Sequence, residues 1–198
     1  EYAERWNVKI YPYPSDFTFD NLQDYRDTYE HLIQTAGQVL EDKIEKISGR
    51  IVYKRRCGKK LAFYEIEKNG DKLQILANHK YYTDKDHFKD INGVLKRGDV
   101  VYIEGHPGSS NPRNHDPELS IIPLKMILQA PCMRELPCNE GGFSDIGLRY
   151  QKRYLDMILK TNVRDIFKIR SKAIQTLREY LINLDFLEVE TPILTLGA

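Results

Sequence analysis

From Ile44 to Leu128 the chain is built of short β-branched and alternating runs separated by turn residues. Sheet strands satisfy such a pattern and a long helix does not. Lys43–Arg55 forms one run, with Gly49 inside it; a glycine within a strand predicts a bend or bulge there. Leu61–Lys68 is a second strand. Asn69-Gly70 follows, a dipeptide that tolerates the positive φ angles of a tight hairpin, and leads into a third strand, Lys72–Ala77. Asp84–Asn92 reads as a short helix closed by Gly93, and Gly98-Asp99 turns the chain into a fourth strand, Val100–Gly105. Pro107–Pro117 reads as an irregular loop. Leu119–Leu128 is the last strand, where Pro123, lacking an N–H, predicts an edge or bulge position.

The flanks are of another kind. Asn7–Phe17 is rich in Pro and Tyr and is expected to be extended. Asp20 is placed to cap a short helix with Leu22, Tyr25, Tyr29 and Leu32 on one face, ended by Gly37. Beyond the strands, Ala130–Asp145 has the Pro/Gly content of a linker. Helical patterns follow over Leu148–Leu159 and from Asn162, the expected cap, to Asn183. The second carries an apolar stripe of Phe167, Ile174, Leu177, Leu181 and Leu184, with Ile166, Ile169, Ala173 and Tyr180 off the stripe. Phe186–Glu190 alternates like a strand that ends at Pro192. Three strands, a helix and two strands is the order of an OB-fold, a five-stranded barrel that binds oligonucleotides on one sheet face. The expected class is therefore mainly β with α: an OB-fold barrel preceded by a short helix and followed by a helical segment.

Composition excludes more than it selects. With 41% apolar and 30% charged residues, the chain has enough apolar material for a real core, and its net charge of +1 argues neither for nor against an RNA partner. Base is clustered, however, at Lys54-Arg55-Arg56 with Lys59-Lys60, at Lys96-Arg97, and from Arg149 to Arg153. No apolar run approaches the roughly 20 residues of a membrane span. Three cysteines without a CxxC pair, and no targeting pattern in Glu1–Lys9, lead us to expect reduced thiols and a cytoplasmic location. The chain opens without Met, so upstream residues are expected. The five histidines show no metal-binding spacing, and Gly105-x-x-Gly108 sits among turn residues without the lysine of a phosphate loop. Glu188 and Glu190 read as a solvated edge. No catalytic or metal site is expected from these residues.

Single-strand binding is the better-supported chemistry. OB-folds stack bases on aromatic rings and track phosphates with Lys and Arg. Lys54, Arg55 and Arg56 end the first strand, Phe63 or Tyr64 lies on the second, Gln74 on the third, and Glu118 at the start of the last. Side chains alternate across a sheet, so one of Phe63 and Tyr64 faces a ligand and the other the core; composition does not choose.

Several segments in order resemble one family. They are Ser48-Gly49-Arg50-Ile51, Leu73-Gln74-Ile75, Arg97-Gly98-Asp99, Glu118-Leu119-Ser120-Ile121 and Arg149–Ile158. From about Asn7 onward the chain resembles the anticodon-binding half of the lysyl-tRNA synthetases. The resemblance implies that Phe63 stacks on the central uridine of the anticodon, that Gln74 and Glu118 hydrogen-bond that base, and that Arg55 contacts the loop. It implies residues 1–41 as an N-terminal segment and helix, 42–130 as the anticodon-binding domain, 131–147 as a linker, and 148–198 as the start of a class II catalytic domain. Arg170–Pro192 resembles the first class II signature motif, which implies a homodimer interface with Arg170, Ile174, Leu177, Leu181 and Pro192. The implied parent enzyme uses ATP and Mg²⁺ to join lysine to tRNA(Lys), while this part binds the anticodon stem-loop, binds no cofactor and is inactive by itself. Aspartyl- and asparaginyl-tRNA synthetases read the same central uridine and are the nearest alternative; a non-catalytic OB-fold tRNA-binding module is another. Two positions depart from the family pattern: Pro117, behind a longer loop from Ser109 to Asp116, and Asp185 each stand where a glycine is usual.

Overall fold

The structure, a computed structural model, describes residues 2–5, 11–12, 16–111, 116–137 and 143–194. Most of the expected extended segment, the middle of the Pro107–Pro117 loop and part of the expected linker, with Cys138 and Gly141-Gly142, lie outside these residues. The chain divides into two units, Glu1–Leu136 and Pro137–Ala198.

In the first unit, helices α1 (Tyr2–Arg5) and α2 (Leu22–Tyr29) precede β1 (Glu45–Arg56), β2 (Leu61–Lys68), β3 (Asp71–Asn78), α3 (Lys85–Val94), β4 (Val100–Ser109) and β5 (Leu119–Ala130). The strands close into a barrel in the order β1-β2-β3-β5-β4, with β3 joining β5 in parallel at Gln74↔Ser120 and Ile75↔Ile121. This is the expected OB-fold order. Alternation builds it: Ala62, Tyr64 and Ile66 of β2 and Leu73, Ile75 and Ala77 of β3 all point into one core. The hairpin between them turns at Asn69 and Gly70, both at positive φ (59° and 107°), the geometry that Asn-Gly favours.

Several elements differ from the sequence expectation. The bulge of β1 is not at Gly49. The register slips between Ile51 and Tyr53, so Val52 is the extra residue. Gly49 is instead a packing position, where a β-carbon would stand 3.1 Å from Ile66 Cβ. α3 is capped by the Asp84 carboxylate, which accepts from the Asp86 and His87 N–H groups, and it runs through Gly93 to bring Leu95 into the core. β4 continues past Gly105 through Pro107 to Ser109, so the Gly105-x-x-Gly108 stretch is strand and not turn, and Pro107 pairs with Ile121. Pro123 does sit at a bulge: the β4–β5 register slips between Glu104 and Gly105, passing from Lys125 to Pro123. There the strands approach so closely that a β-carbon on Gly105 would lie 2.3 Å from the Ile122 carbonyl oxygen.

Asp20 does not cap α2; Asn21 precedes it, without a side-chain cap. Leu22, Tyr25 and Tyr29 are buried, but the helix stops at Tyr29, so Leu32 is 52% exposed and Ile33 turns inward in its place. Tyr25 donates its hydroxyl to the Ser120 carbonyl at 3.0 Å, and Tyr29 donates to buried Glu45, so α2 is pinned to the barrel through polar as well as apolar contacts.

The second unit holds α4 (Ile146–Gln151), α5 (Arg153–Leu159) and α6 (Thr161–Ile182). The single helix expected over Leu148–Leu159 breaks at Lys152 (φ −115°, ψ 53°). The break lets Arg149 and Arg153 converge on Asp156, which is fully buried (0% exposed), at 2.9 and 2.8 Å. α6 starts one residue before Asn162, after Lys160, which supplies no side-chain cap. Its end is formed by Asp185 at φ 63°, with Phe186 N–H donating to Leu181 O and Asp185 N–H to Ile182 O. That is a Schellman closure with aspartate at the left-handed position where glycine is easiest. Phe186–Glu190 is not a strand: it forms no sheet ladder among the described residues, and alternation alone does not supply a neighbouring strand. No described helix is long and apolar enough to cross a membrane.

Two glycines should respond oppositely to alanine. Gly105→Ala forces a methyl against backbone and should cost about 2–3 kcal/mol. Gly93→Ala, inside a helix with nothing within 4 Å, should gain about 0.5–1 kcal/mol. Urea unfolding of the two variants checks both.

Candidate nucleic-acid interface

Strand parity decides what the barrel shows to the outside. Before Val52, the residues of β1 that face the core are Glu45, Ile47, Gly49 and Ile51; after it, the inward residues are Lys54 and Arg56. One extra residue reverses the faces. Arg55 consequently points outward, directly opposite Phe63 of β2, with its guanidinium carbon 5.9 Å from the centre of the Phe63 ring. Tyr64, at 1% exposure, takes the core position, so the choice that composition leaves open falls to Phe63 as the outward ring. Phe63 in turn stands opposite Leu76 of β3, while the neighbouring row pairs Glu65 with Gln74.

Gln74 and Glu118 meet. The Gln74 amide Nε2 donates to Glu118 Oε2 at 2.7 Å, and Ser120 Oγ donates to Gln74 Oε1 at 2.8 Å. Glu118 is set by its own backbone: its N–H donates to Ser110 Oγ at 3.0 Å, and its carbonyl accepts from the Ser110 N–H at 2.9 Å. These bonds are made by the N–H and carbonyl of Glu118 itself, so they do not need the N–H that Pro117 lacks. Ser120 and Ser110 are site residues that sequence reasoning did not single out. Ser120 was within reach of it, since a period of two from Glu118 lands on Ser120; Ser110 depends on a cross-strand neighbour. The Glu118 Oε1 atom and the second Gln74 amide hydrogen have no partner among the described residues, so the pair presents an acceptor and a donor side by side.

The basic runs divide between internal and external work. Lys54 donates to the carbonyls of Asn92, at 2.9 Å, and Leu95, and Arg56 also donates to Asn92 O. Both neutralise the carbonyl end of α3. Burial first, and the Arg56 charge second, depress Lys54 to a pKa of about 8, against the opposing pull of the Asp99 carboxylate. Asp99, buried in the Arg97-Gly98-Asp99 turn, accepts from Lys96 N–H at 2.8 Å and Cys132 N–H at 2.7 Å, so that segment is structural. In the second unit, Asp156 takes up Arg149 and Arg153, and raises Arg149 further above its ordinary value.

Arg170, Ile174, Leu177 and Leu181 fall on one face of α6, all exposed, and Pro192 follows in irregular chain, exposed as well. Of the residues of α6, Val163 is buried.

The family model for the OB-fold nucleic acid binding domain matches residues 45–128, and that for class II tRNA synthetases (D, K and N) matches 145–197. Lysine–tRNA ligase cla4 of Cladosporium cladosporioides is 40% identical over 186 residues, covering 93% of this chain and 31% of that protein. The lysine–tRNA ligase of Fusobacterium nucleatum is 34% identical over 197 residues, covering 97% and 38% respectively. This chain is a homologue of the lysine–tRNA ligases. The probable cytoplasmic lysine–tRNA ligase of Encephalitozoon cuniculi is 29% identical over 93% of the chain and 34% of its own length. The chain thus spans about a third of the length of the lysine–tRNA ligases it matches. The match to the nucleic acid binding domain takes in Arg55, Phe63, Gln74 and Glu118.

Lys54 gives a pH signature. Its folded pKa, about 8, lies below the ordinary 10.5, so the folded protein releases this proton first. Its contribution to stability is fully present above pH 10.5, shrinks as pH falls, and is gone below pH 8. Lys54→Met should flatten the rise of stability across that window relative to the parent chain, read by urea unfolding at stepped pH, and the Lys54 ¹³Cε resonance should titrate near 8.

Proposed function

We propose that this chain is the anticodon-reading part of a lysine–tRNA ligase, with residues 42–130 as the reading domain and 148–198 as the start of the catalytic domain. The observation that carries the reading is the Gln74–Glu118 hydrogen bond on the outer face of the sheet, one row from Phe63. Uracil has an N3–H donor between two carbonyl acceptors. With the base stacked on Phe63, N3–H donates to Glu118 Oε1 and a carbonyl accepts from the Gln74 amide. Cytosine carries an acceptor at N3 and meets the carboxylate acceptor to acceptor. Arg55, beside Phe63, is placed to contact the loop backbone.

In the whole enzyme, lysine and ATP with Mg²⁺ give lysyl-adenylate and pyrophosphate, and the lysyl group then passes to the 3′ end of the tRNA with release of AMP. This part chooses the tRNA and takes no part in that chemistry, and it holds no cofactor of its own. A cytoplasmic location follows the name of the Encephalitozoon relative. The exposed face of α6 with Ile174, Leu177 and Leu181, together with Arg170 and, beyond the helix, Pro192, serves a homodimer; Leu177→Glu should then weaken self-association in sedimentation, and an unchanged sedimentation profile would remove Leu177 from any such interface.

Binding to a tRNA(Lys) anticodon stem-loop, against the same loop with its central uridine changed to cytidine, tests the reading at one fixed salt concentration. The uridine loop should bind about ten-fold tighter, roughly 1.4 kcal/mol. Phe63→Ala should abolish that preference, and Glu118→Gln should narrow it. Equal binding of both loops by the unsubstituted chain would leave a charge-driven binder without base selection.

A further inference from the structure

A second aromatic ring stands on the same outer face. Tyr53 directly follows the extra residue of β1, so it points outward with Arg55, and it is 54% exposed. It pairs with Glu65, which makes Phe63 its diagonal neighbour across β1–β2. Residues so related lie about 7–8 Å apart, within reach of one another through long side chains. Glu65 leaves the ring uncovered, because its carboxylate turns to Lys72 of β3, 2.9 Å away. Among the described residues Tyr53 makes no ring–ring or cation–π contact, whereas Phe63 has the Arg55 guanidinium beside it. The face therefore carries two outward aromatic rings, with Arg55 next to both.

Single strands are held by successive bases lying on successive aromatic rings, with cations at the linking phosphates. We infer that Tyr53 is a second stacking platform, taking a base that flanks the one on Phe63, with Arg55 at the phosphate between them. A ring face is indifferent to base identity, so Tyr53 contributes affinity and leaves the choice of uridine to Gln74 and Glu118. This rests on the anticodon reading proposed above.

The test uses the 198-residue chain and an anticodon stem-loop with 2-aminopurine placed, in turn, before and after the central uridine. One of the two positions should be quenched on binding by the parent chain and by Tyr53→Phe. Tyr53→Leu keeps apolar area and removes the ring; it should lose that quenching and bind about ten-fold more weakly. The loss should be equal for loops with central uridine and central cytidine, so their ratio stays as in the parent chain. Tyr53→Leu binding as tightly as the parent, with quenching intact, would overturn the role of Tyr53 while the parent's uridine preference still stands. Absence of that preference in the parent chain would overturn the anticodon reading, and the role of Tyr53 with it.

Discussion

The extra residue at Val52 governs what this barrel offers to a ligand. A strand has two faces and a period of two, so every residue after an insertion changes sides. Without it, Lys54 and Arg56 would face solvent, while Tyr53 and Arg55 would face the core. With it, Tyr64 keeps its core position and Arg55 stands beside Phe63. The two inward cations are then within reach of the α3 carbonyls, where they close the end of the helix that spans the gap between β3 and β4. One local irregularity thus serves both the packing of the barrel and the composition of its outer face.

The distribution of charge follows from the same economy of faces. The chain's net charge is nearly zero, and much of its clustered base is already engaged: Lys54 and Arg56 at α3, Arg149 and Arg153 at buried Asp156. Order at the outer face comes from hydrogen bonds instead. Ser120 fixes the Gln74 carbonyl, the Gln74 amide meets Glu118, and Tyr25 of α2 holds the Ser120 carbonyl from inside. The helix α2 is in this way a support of β5 and not only a cover for the barrel. Preorganised polar groups lose less on binding than groups that must first be ordered.

Much of the barrel was legible in sequence because alternation and turn chemistry are local. Leu61–Lys68 and the Asn69-Gly70 turn are set by neighbouring residues, and the bulge at Pro123 by the missing N–H of proline. Expectation failed where a local signal had a non-local answer. Gly49 signalled a bend but is small because Ile66 lies over it. Gly93 signalled a stop, yet the pull of Leu95 into the core carries α3 past it. Phe186–Glu190 alternates, but no neighbour among the described residues completes a ladder.

The candidate site divides along the same line. The sequence by itself determined the residue types of a single-strand binder, their strands, and, through ordered segments, the lysyl-tRNA synthetase resemblance that the homologues bear out. It also determined that Phe63 and Tyr64 must part to opposite faces. The tertiary structure decided which of them faces out, which member of Lys54-Arg55-Arg56 joins it, and that Gln74 meets Glu118. The physical reason is that facing is relative: a period of two is written in the chain, but its phase is set by the residue that slips and by the strand that lies alongside. Gln74 and Glu118 are 44 positions apart, and the parallel closure of β3 on β5 brings them within a hydrogen bond.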